Sequence, residues 1–386
     1  MARIGLSIFI ALLVGGIAVS APLLLDRVGS KPQQWQPLPL HVGGRVQALK
    51  ADGIVRYRHQ WPGVYFEAQF VGSRAVARFG GSAHRYRLYV DGVPFADISK
   101  PGKSDFAIDG LPAGQHALRL ETVSENNAPG DFIGFFAPSS STPLDSKPTP
   151  PPKRSRQIEF IGNSFMNGYG ITHQGKQLKC TAEEVWATTD TGQAFPVLTA
   201  KHFDADYQII AKSSNGIVRN YDGVRPGVTM ATLYPYTLVA QTIRYDDPAW
   251  RPAVIIIGLF GAEFARPLKP QEPWGSFDAL FADYVTGSIR MVKDIHKRHP
   301  HAAIMFMIPE PAMIRDPAGA KQLTEARTAL ADAASAEKIT DFAFWFPKIA
   351  LQNTGCNGHG NIADNRALAD HLIKLLEARE GIWAGG

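Results

Sequence analysis

The chain has 386 residues, 45% of them hydrophobic and 19% charged. Single hydrophobic cores stop growing near roughly 250–300 residues, so this length calls for two cores. The formal charge is +5; the basic residues are scattered and no RNA- or DNA-binding motif occurs, so nucleic acid is excluded as a partner.

Arg3 precedes an uncharged stretch from Ile4 to Leu25. Ala18-Val19-Ser20 ahead of Ala21 has the small-residue pattern of a signal-peptide cleavage site. Uncleaved, the stretch is long enough to anchor the chain, because spanning takes roughly 20 apolar residues. Residues 1–25 are therefore expected to be a signal peptide or a membrane anchor. Either role places the remainder outside the cytoplasm, periplasmic or secreted, with membrane contact only through this segment. The two cysteines are Cys180 and Cys356. Export and the even count favour a disulfide between them over two buried thiols.

Residues 26–39 form a polar, proline-containing lead, and residues 40–138 have a β pattern. Alternating runs such as Tyr65-Phe66-Glu67-Ala68-Gln69-Phe70 and Tyr86-Arg87-Leu88-Tyr89-Val90 predict half-buried strands. Asp52-Gly53, Gly80-Gly81, Asp91-Gly92 and Asp109-Gly110 are the expected turns. About eight strands at this spacing predict an all-β sandwich of jelly-roll type. Residues 139–156 are rich in Ser and Pro and lack apolar periodicity, the composition of an extended spacer between domains. Lys153, Arg154 and Arg156 are expected to solvate it.

From residue 157 to 383 strand and helix alternate. Strands are predicted at Ile158–Ile161, Tyr207–Ala211, Val254–Ile257, Ala302–Ile308 and Phe342–Phe346. Between the third and fourth, apolar residues from Phe277 to Ile295 recur at three- and four-residue steps, as in an amphipathic helix. Leu368, Leu372 and Leu375 mark a terminal helix. This predicts an α/β domain of three layers with a five-stranded parallel sheet, whose ligand sits beyond the carboxyl ends of the strands.

Those ends carry the candidate chemistry. The first strand runs into Gly162-Asn163-Ser164, the second into Ser213-Ser214-Asn215-Gly216, and the last leads to Gly355-Cys356-Asn357-Gly358-His359. An exposed serine can be a nucleophile or a helix cap. A glycine can offer its N–H to a ligand or merely form a turn. His296, His299 and His301 fall at a polar helix end and are expected to be solvated. No HExxH, cysteine cluster, Walker loop or dinucleotide glycine loop occurs, so neither metal nor cofactor is expected. A Gly-x-Ser-x-Gly elbow is absent too, which argues against the α/β-hydrolase fold.

Taken in order, IEFIGNSFMNGYG, SSNGIVRNYDG, IIIGLFGAEF and GCNGHGN resemble the sequence blocks of the SGNH/GDSL hydrolase superfamily. With the β region ahead of them, they resemble the family-two carbohydrate acetyl esterases, which join a jelly-roll domain to a flavodoxin-like SGNH domain. The resemblance implies a serine esterase that removes O-acetyl or other short acyl groups from carbohydrate or polysaccharide. Ser164 would be the nucleophile and His359 the general base. The N–H groups of Ser164 and Gly216 would form the oxyanion hole. Asn163, Ala262 and Asn357 stand where the family usually has Asp, Asn and Asp. Asn163, Asn215, Asn357 and Glu263 are the candidate supporting residues. These departures leave two alternatives open, a non-catalytic carbohydrate-binding relative and an O-acyltransferase.

Overall fold

The computed structural model describes residues 34–51, 53–139, 149–175, 179–313 and 317–383. Residues 1–33, which include the expected signal peptide or membrane anchor, Asp52 and residues 140–148 of the expected spacer lie outside the described residues. Among the described residues no helix is long and apolar enough to cross a membrane.

Alternation of apolar and polar residues produces the first half as strands with one face inward. In chain order these are β1 (Trp35–Pro37), β2 (His41–Gly43), β3 (Val46–Ala51), β4 (Ile54–His59), β5 (Tyr65–Gly72) and β6 (Ala75–Gly81). They continue with β7 (Arg85–Val90), β8 (Val93–Ser99), β9 (Asp105–Ile108), β10 (Gly114–Thr122) and β11 (Gly130–Pro138). One antiparallel sheet has the order β3-β4-β11-β6-β9, with β1 also on β11; the other has the order β2-β5-β10-β7-β8. Phe66, Leu88, Leu118 and Leu120 of the second sheet pack against Phe79, Phe132 and Phe135 of the first.

The strands beyond the expected eight are β1, β2 and β9, which have three, three and four residues. Segments that short carry no readable alternation. Asp91 and Gly92, at φ +52° and +78°, make the two-residue turn between β7 and β8 that left-handed residues favour. Gly80-Gly81 is not a turn: it ends β6, where Gly81 faces Asp131 beside an irregularity in the pairing with β11. Glycine in a strand often marks such a bulge.

The second half holds β12 (Arg156–Gly162), β13 (Ala205–Ala211), β14 (Val254–Gly258), β15 (Ala303–Met307) and β16 (Phe342–Trp345). They form one parallel sheet in the order β13-β12-β14-β15-β16. Its helices are α1 (Ala182–Thr188), α2 (Phe195–His202), α3 (Met230–Leu233), α4 (Phe277–Arg298), α5 (Pro317–Ala336) and α6 (Ile362–Glu377). Each buried strand feeds two cores. Ile255, Ile257, Ile304 and Phe306 pack with Met291 and Val292 of α4 and Leu330 of α5. Val254, Ile256 and Met305 pack with Phe195 of α2 and Leu368 and Leu372 of α6. Strand order reverses at β12, which makes the crevice beyond its carboxyl end the expected ligand position.

The two halves pack within one compact unit, Trp35–Gly386, and much of what joins them is ionic. Arg45 of the β half is fully buried, with Nη2 2.7 Å from Glu159 Oε1 on β12. Arg154 does not solvate a spacer. It pairs with Glu67 at 2.9 Å and Asp206 at 3.0 Å, acids 87 and 52 residues away. His299 is also not solvated: it is buried against Glu159, and burial holds its pKa below the usual histidine value.

Candidate active site

β12 ends in Gly162, where an added Cβ would lie 2.3 Å from Met166 Cγ. The absence of that atom lets the chain fold back tightly beyond the strand. Asn163 braces the turn, its carbonyl accepting from Met166 N at 2.9 Å and its Oδ1 from Phe165 N at 3.3 Å. Ser164 stands half-buried at the bend.

His359 comes from the loop between β16 and α6. The carbonyl of His359 accepts from Gly355 N at 2.8 Å, so the loop closes on itself. Its ring Nδ1 lies 3.0 Å from the carbonyl oxygen of Cys356. A carbonyl can only accept, so Nδ1 carries the proton and Nε2 presents a lone pair. That lone pair faces Ser164 Oγ at 2.7 Å. Burial pulls the His359 pKa below the usual value, partly opposed by backbone hydrogen bonds from the ring. The Tyr169 ring packs 4.3 Å from the imidazole and Phe165 stands 6.1 Å away.

Asn357 does not orient the imidazole. Its Nδ2 donates to Tyr169 Oη at 2.8 Å and its Oδ1 accepts from Cys180 N at 3.1 Å. Cys180 and Cys356 form a disulfide, which ties the loop ahead of α1 to the histidine loop. His173, Cys180 and Cys356 have their ligand atoms within 4.8 Å of one another. With both sulfurs in the disulfide, no thiolate is left there to hold a metal.

The loop after β13 departs from expectation. Gly216 N–H donates to Asn220 Oδ1 at 3.2 Å, so it is not free for an oxyanion. The Asn215 side chain is fully buried, donating to Val228 O at 2.8 Å and accepting from Arg225 Nη2 at 2.5 Å. The reason is close packing: a Cβ on Gly216 would lie 2.3 Å from both Arg219 O and Glu263 Oε1. Glu263 is fully buried and accepts from Ile217 N at 2.6 Å. Burial pushes its pKa up to about 7. Glu263 thus supports the loop from beneath, while Ala262 on the same segment offers no side-chain donor.

Sequence reasoning passed over Ser214. It sits at φ +68°, a conformation uncommon outside glycine. Its N–H has no hydrogen-bond partner among the described residues, although its carbonyl accepts from Tyr221 N at 2.7 Å. Nothing in a serine codon position signals a left-handed backbone. Tyr169 lies within the first of the sequence blocks, but its packing against the distant His359 ring is visible only in the structure.

The Carbohydrate esterase 2 N-terminal family matches residues 42–147. An acetylxylan esterase / glucomannan deacetylase of Cellvibrio japonicus is 38% identical over 369 residues, 95% of this chain and 98% of that protein. The chain belongs to carbohydrate esterase family two. A solved family relative, a carbohydrate esterase whose active site is described as having divergent catalytic and non-catalytic binding functions, superposes with a TM-score of 0.79 at 38% identity. That match covers 90% of this chain and 100% of the other. A family-two esterase from Clostridium thermocellum in complex with cellohexaose gives a TM-score of 0.71 at 23% identity, over 89% of this chain and 99% of that one. At that identity the likeness is one of fold. In this family-two chain the Ser164–His359 contact therefore lies on an esterase scaffold.

Proposed function

We propose that the protein is an exported serine esterase that removes O-acetyl groups from carbohydrate through Ser164 and His359. The observation that carries this reading is the 2.7 Å contact between Ser164 Oγ and His359 Nε2, with Nδ1 bound to the Cys356 carbonyl. The neutral imidazole accepts the hydroxyl proton as Oγ attacks the acetyl carbonyl. The resulting imidazolium shares its Nδ1 proton with the Cys356 carbonyl, which takes the orienting role that a carboxylate has in a triad. It then protonates the departing sugar oxygen, and water resolves the acetyl-enzyme by the reverse transfers. The N–H groups of Ser164 and Ser214 are the proposed oxyanion donors; neither has another partner among the described residues.

The two antiparallel sheets are read as a jelly roll and the parallel sheet as an SGNH domain. Export is supported by the disulfide, since such bonds persist in oxidising compartments. The name of the relative from Cellvibrio japonicus points to acetylated xylan and glucomannan as the substrate class. Acetate release from both polymers by the wild type should exceed that by Ser164→Ala by about 10⁴-fold or more. Equal, background release from the two proteins would leave a carbohydrate-binding role as the better reading.

A further inference from the structure

We infer that Glu125, carried by the β half, is a positioning residue for the site formed by the α/β half. This role rests on the esterase reading above. Glu125 follows β10 on a loop that reaches the carboxyl edge of the parallel sheet. Its Oε1 lies 2.6 Å from Lys212 Nζ. Its Oε2 accepts from Ser213 Oγ at 2.5 Å and from Asn167 Nδ2. Ser213 N–H lies 3.2 Å from each of the two oxygens.

These donors belong to the two loops that build the site. Asn167 is fully buried and lies three residues after Ser164. Ser213 directly precedes Ser214, whose N–H has no hydrogen-bond partner among the described residues. Asn167 Nδ2 also donates to Ser213 Oγ at 3.0 Å, so the nucleophile turn and the β13 loop meet at this point. One carboxylate, with its acceptor sites filled by a cation, an amide, a hydroxyl and a backbone N–H, fixes their separation. Hydrogen bonds to an ionised acceptor are the strong, orienting kind.

The neighbours of Glu125 strengthen the strap. Asn126 Oδ1 accepts from Trp186 Nε1 at 2.7 Å, and Asn127 Oδ1 accepts from Lys212 Nζ at 2.9 Å. Thr191 N donates to Val123 O at 3.0 Å while Thr191 Oγ1 donates to Asn167 O at 2.7 Å. Holding the two halves together does not depend on Glu125, because Arg45 with Glu159 and Arg154 with Glu67 join them elsewhere. What Glu125 adds is a carboxylate bridge, beside the direct Asn167–Ser213 bond, that registers the nucleophile turn against the β13 loop. Catalytic geometry tolerates errors of only about 0.5 Å, and a displacement of about 1 Å can cost on the order of 10²-fold in rate.

The test compares wild type, Glu125→Gln, Glu125→Ala and Arg154→Gln on 4-nitrophenyl acetate and acetylated xylan, with thermal unfolding and amide hydrogen exchange in parallel. Gln keeps the shape, yet it turns one acceptor oxygen into an NH₂ that faces existing donors. Both Glu125 variants should lose about 10- to 10²-fold in kcat with KM within about threefold. Exchange should quicken at 164–168 and 213–216. Arg154→Gln should lower the unfolding temperature by at least as much while leaving kcat near wild type. If wild type is active and Glu125→Gln matches its kcat, the positioning role fails alone. The same holds if the kcat losses merely follow unfolding temperature across all three variants. If wild type hydrolyses no faster than Ser164→Ala, the esterase reading fails and takes this role with it.

Discussion

The histidine loop and the loop after β13 lie at the same edge of one sheet, yet they are held in opposite ways. Around His359 the bonds are short-range: Gly355 N to His359 O, and His359 Nδ1 to Cys356 O. The loop orients its own functional side chain, and a disulfide then pins it to the segment ahead of α1. The loop after β13 is held largely from a distance. Ile217 N is satisfied by Glu263, 46 residues on, and Ser213 by Glu125, 88 residues back. A self-closed loop can be recognised from its own residues. A loop held by remote side chains cannot, and its function is exposed to changes far away in sequence.

The largest stability effect should come from the covalent restraint. Replacing both cysteines, Cys180→Ser with Cys356→Ser, should cost about 2–4 kcal/mol, the range typical of a disulfide, read from denaturant unfolding under oxidising conditions. Since the bond that orients His359 comes from a backbone carbonyl, kcat should fall less than tenfold at temperatures where the variant is folded. A collapse of kcat in fully folded protein would break the claim that the histidine loop orients its own base.

A smaller loss is expected from Gly216→Ala. The new Cβ would meet Arg219 O and Glu263 Oε1 at 2.3 Å, and the first of these is backbone and cannot rotate away. Overpacking of this kind costs about 1–3 kcal/mol. Because the displaced atoms belong to the β13 loop, kcat should fall more than stability alone explains. An unchanged kcat would show that the loop tolerates displacement.

The smallest effects are those of pH, and they separate the two loops. His359 must be neutral to accept the serine proton, and burial lowers its pKa. The acid limb of kcat/KM should therefore have its midpoint below the ordinary histidine value of about 6.5. Glu263 shifts the other way, to about 7, with Arg219 and Tyr284 among the groups facing it. The folded state thus holds this proton more tightly than the unfolded chain. Its contribution to stability is complete below the unfolded carboxyl value of about 4.5 and is lost as pH rises through about 7. Glu263→Gln should flatten the stability profile across that interval, as measured by unfolding at several pH values. A profile identical to wild type would remove Glu263 as its source.

Much of the fold was readable because it rests on local periodicity. Val254 to Ile257 form a continuous apolar run, and such a run is a strand buried on both faces; the structure accordingly divides it between two cores. Ser164 and His359 were readable as candidates because each lies on a glycine-flanked loop at the carboxyl edge of the sheet. Arg154 and His299 were misread because charged residues near prolines and helix ends are usually solvated. Their buried partners lie on other elements: Glu67 and Asp206 for Arg154, Glu159 for His299.

The sequence by itself determined the two kinds of half, the five buried strands with their intervening helices, and the residues able to act as nucleophile and base. These follow from periods of 2 and 3.6 residues and from glycine at strand ends, all properties of short windows. Only the tertiary structure decided that, among the described residues, the Ser214 N–H has no hydrogen-bond partner while the Gly216 N–H is taken by Asn220. Only the docking of the halves could bring Glu125 to Asn167 and Ser213. The physical reason is range: a backbone donor is free or occupied according to side chains that arrive from dozens of residues away, and no local pattern records their arrival.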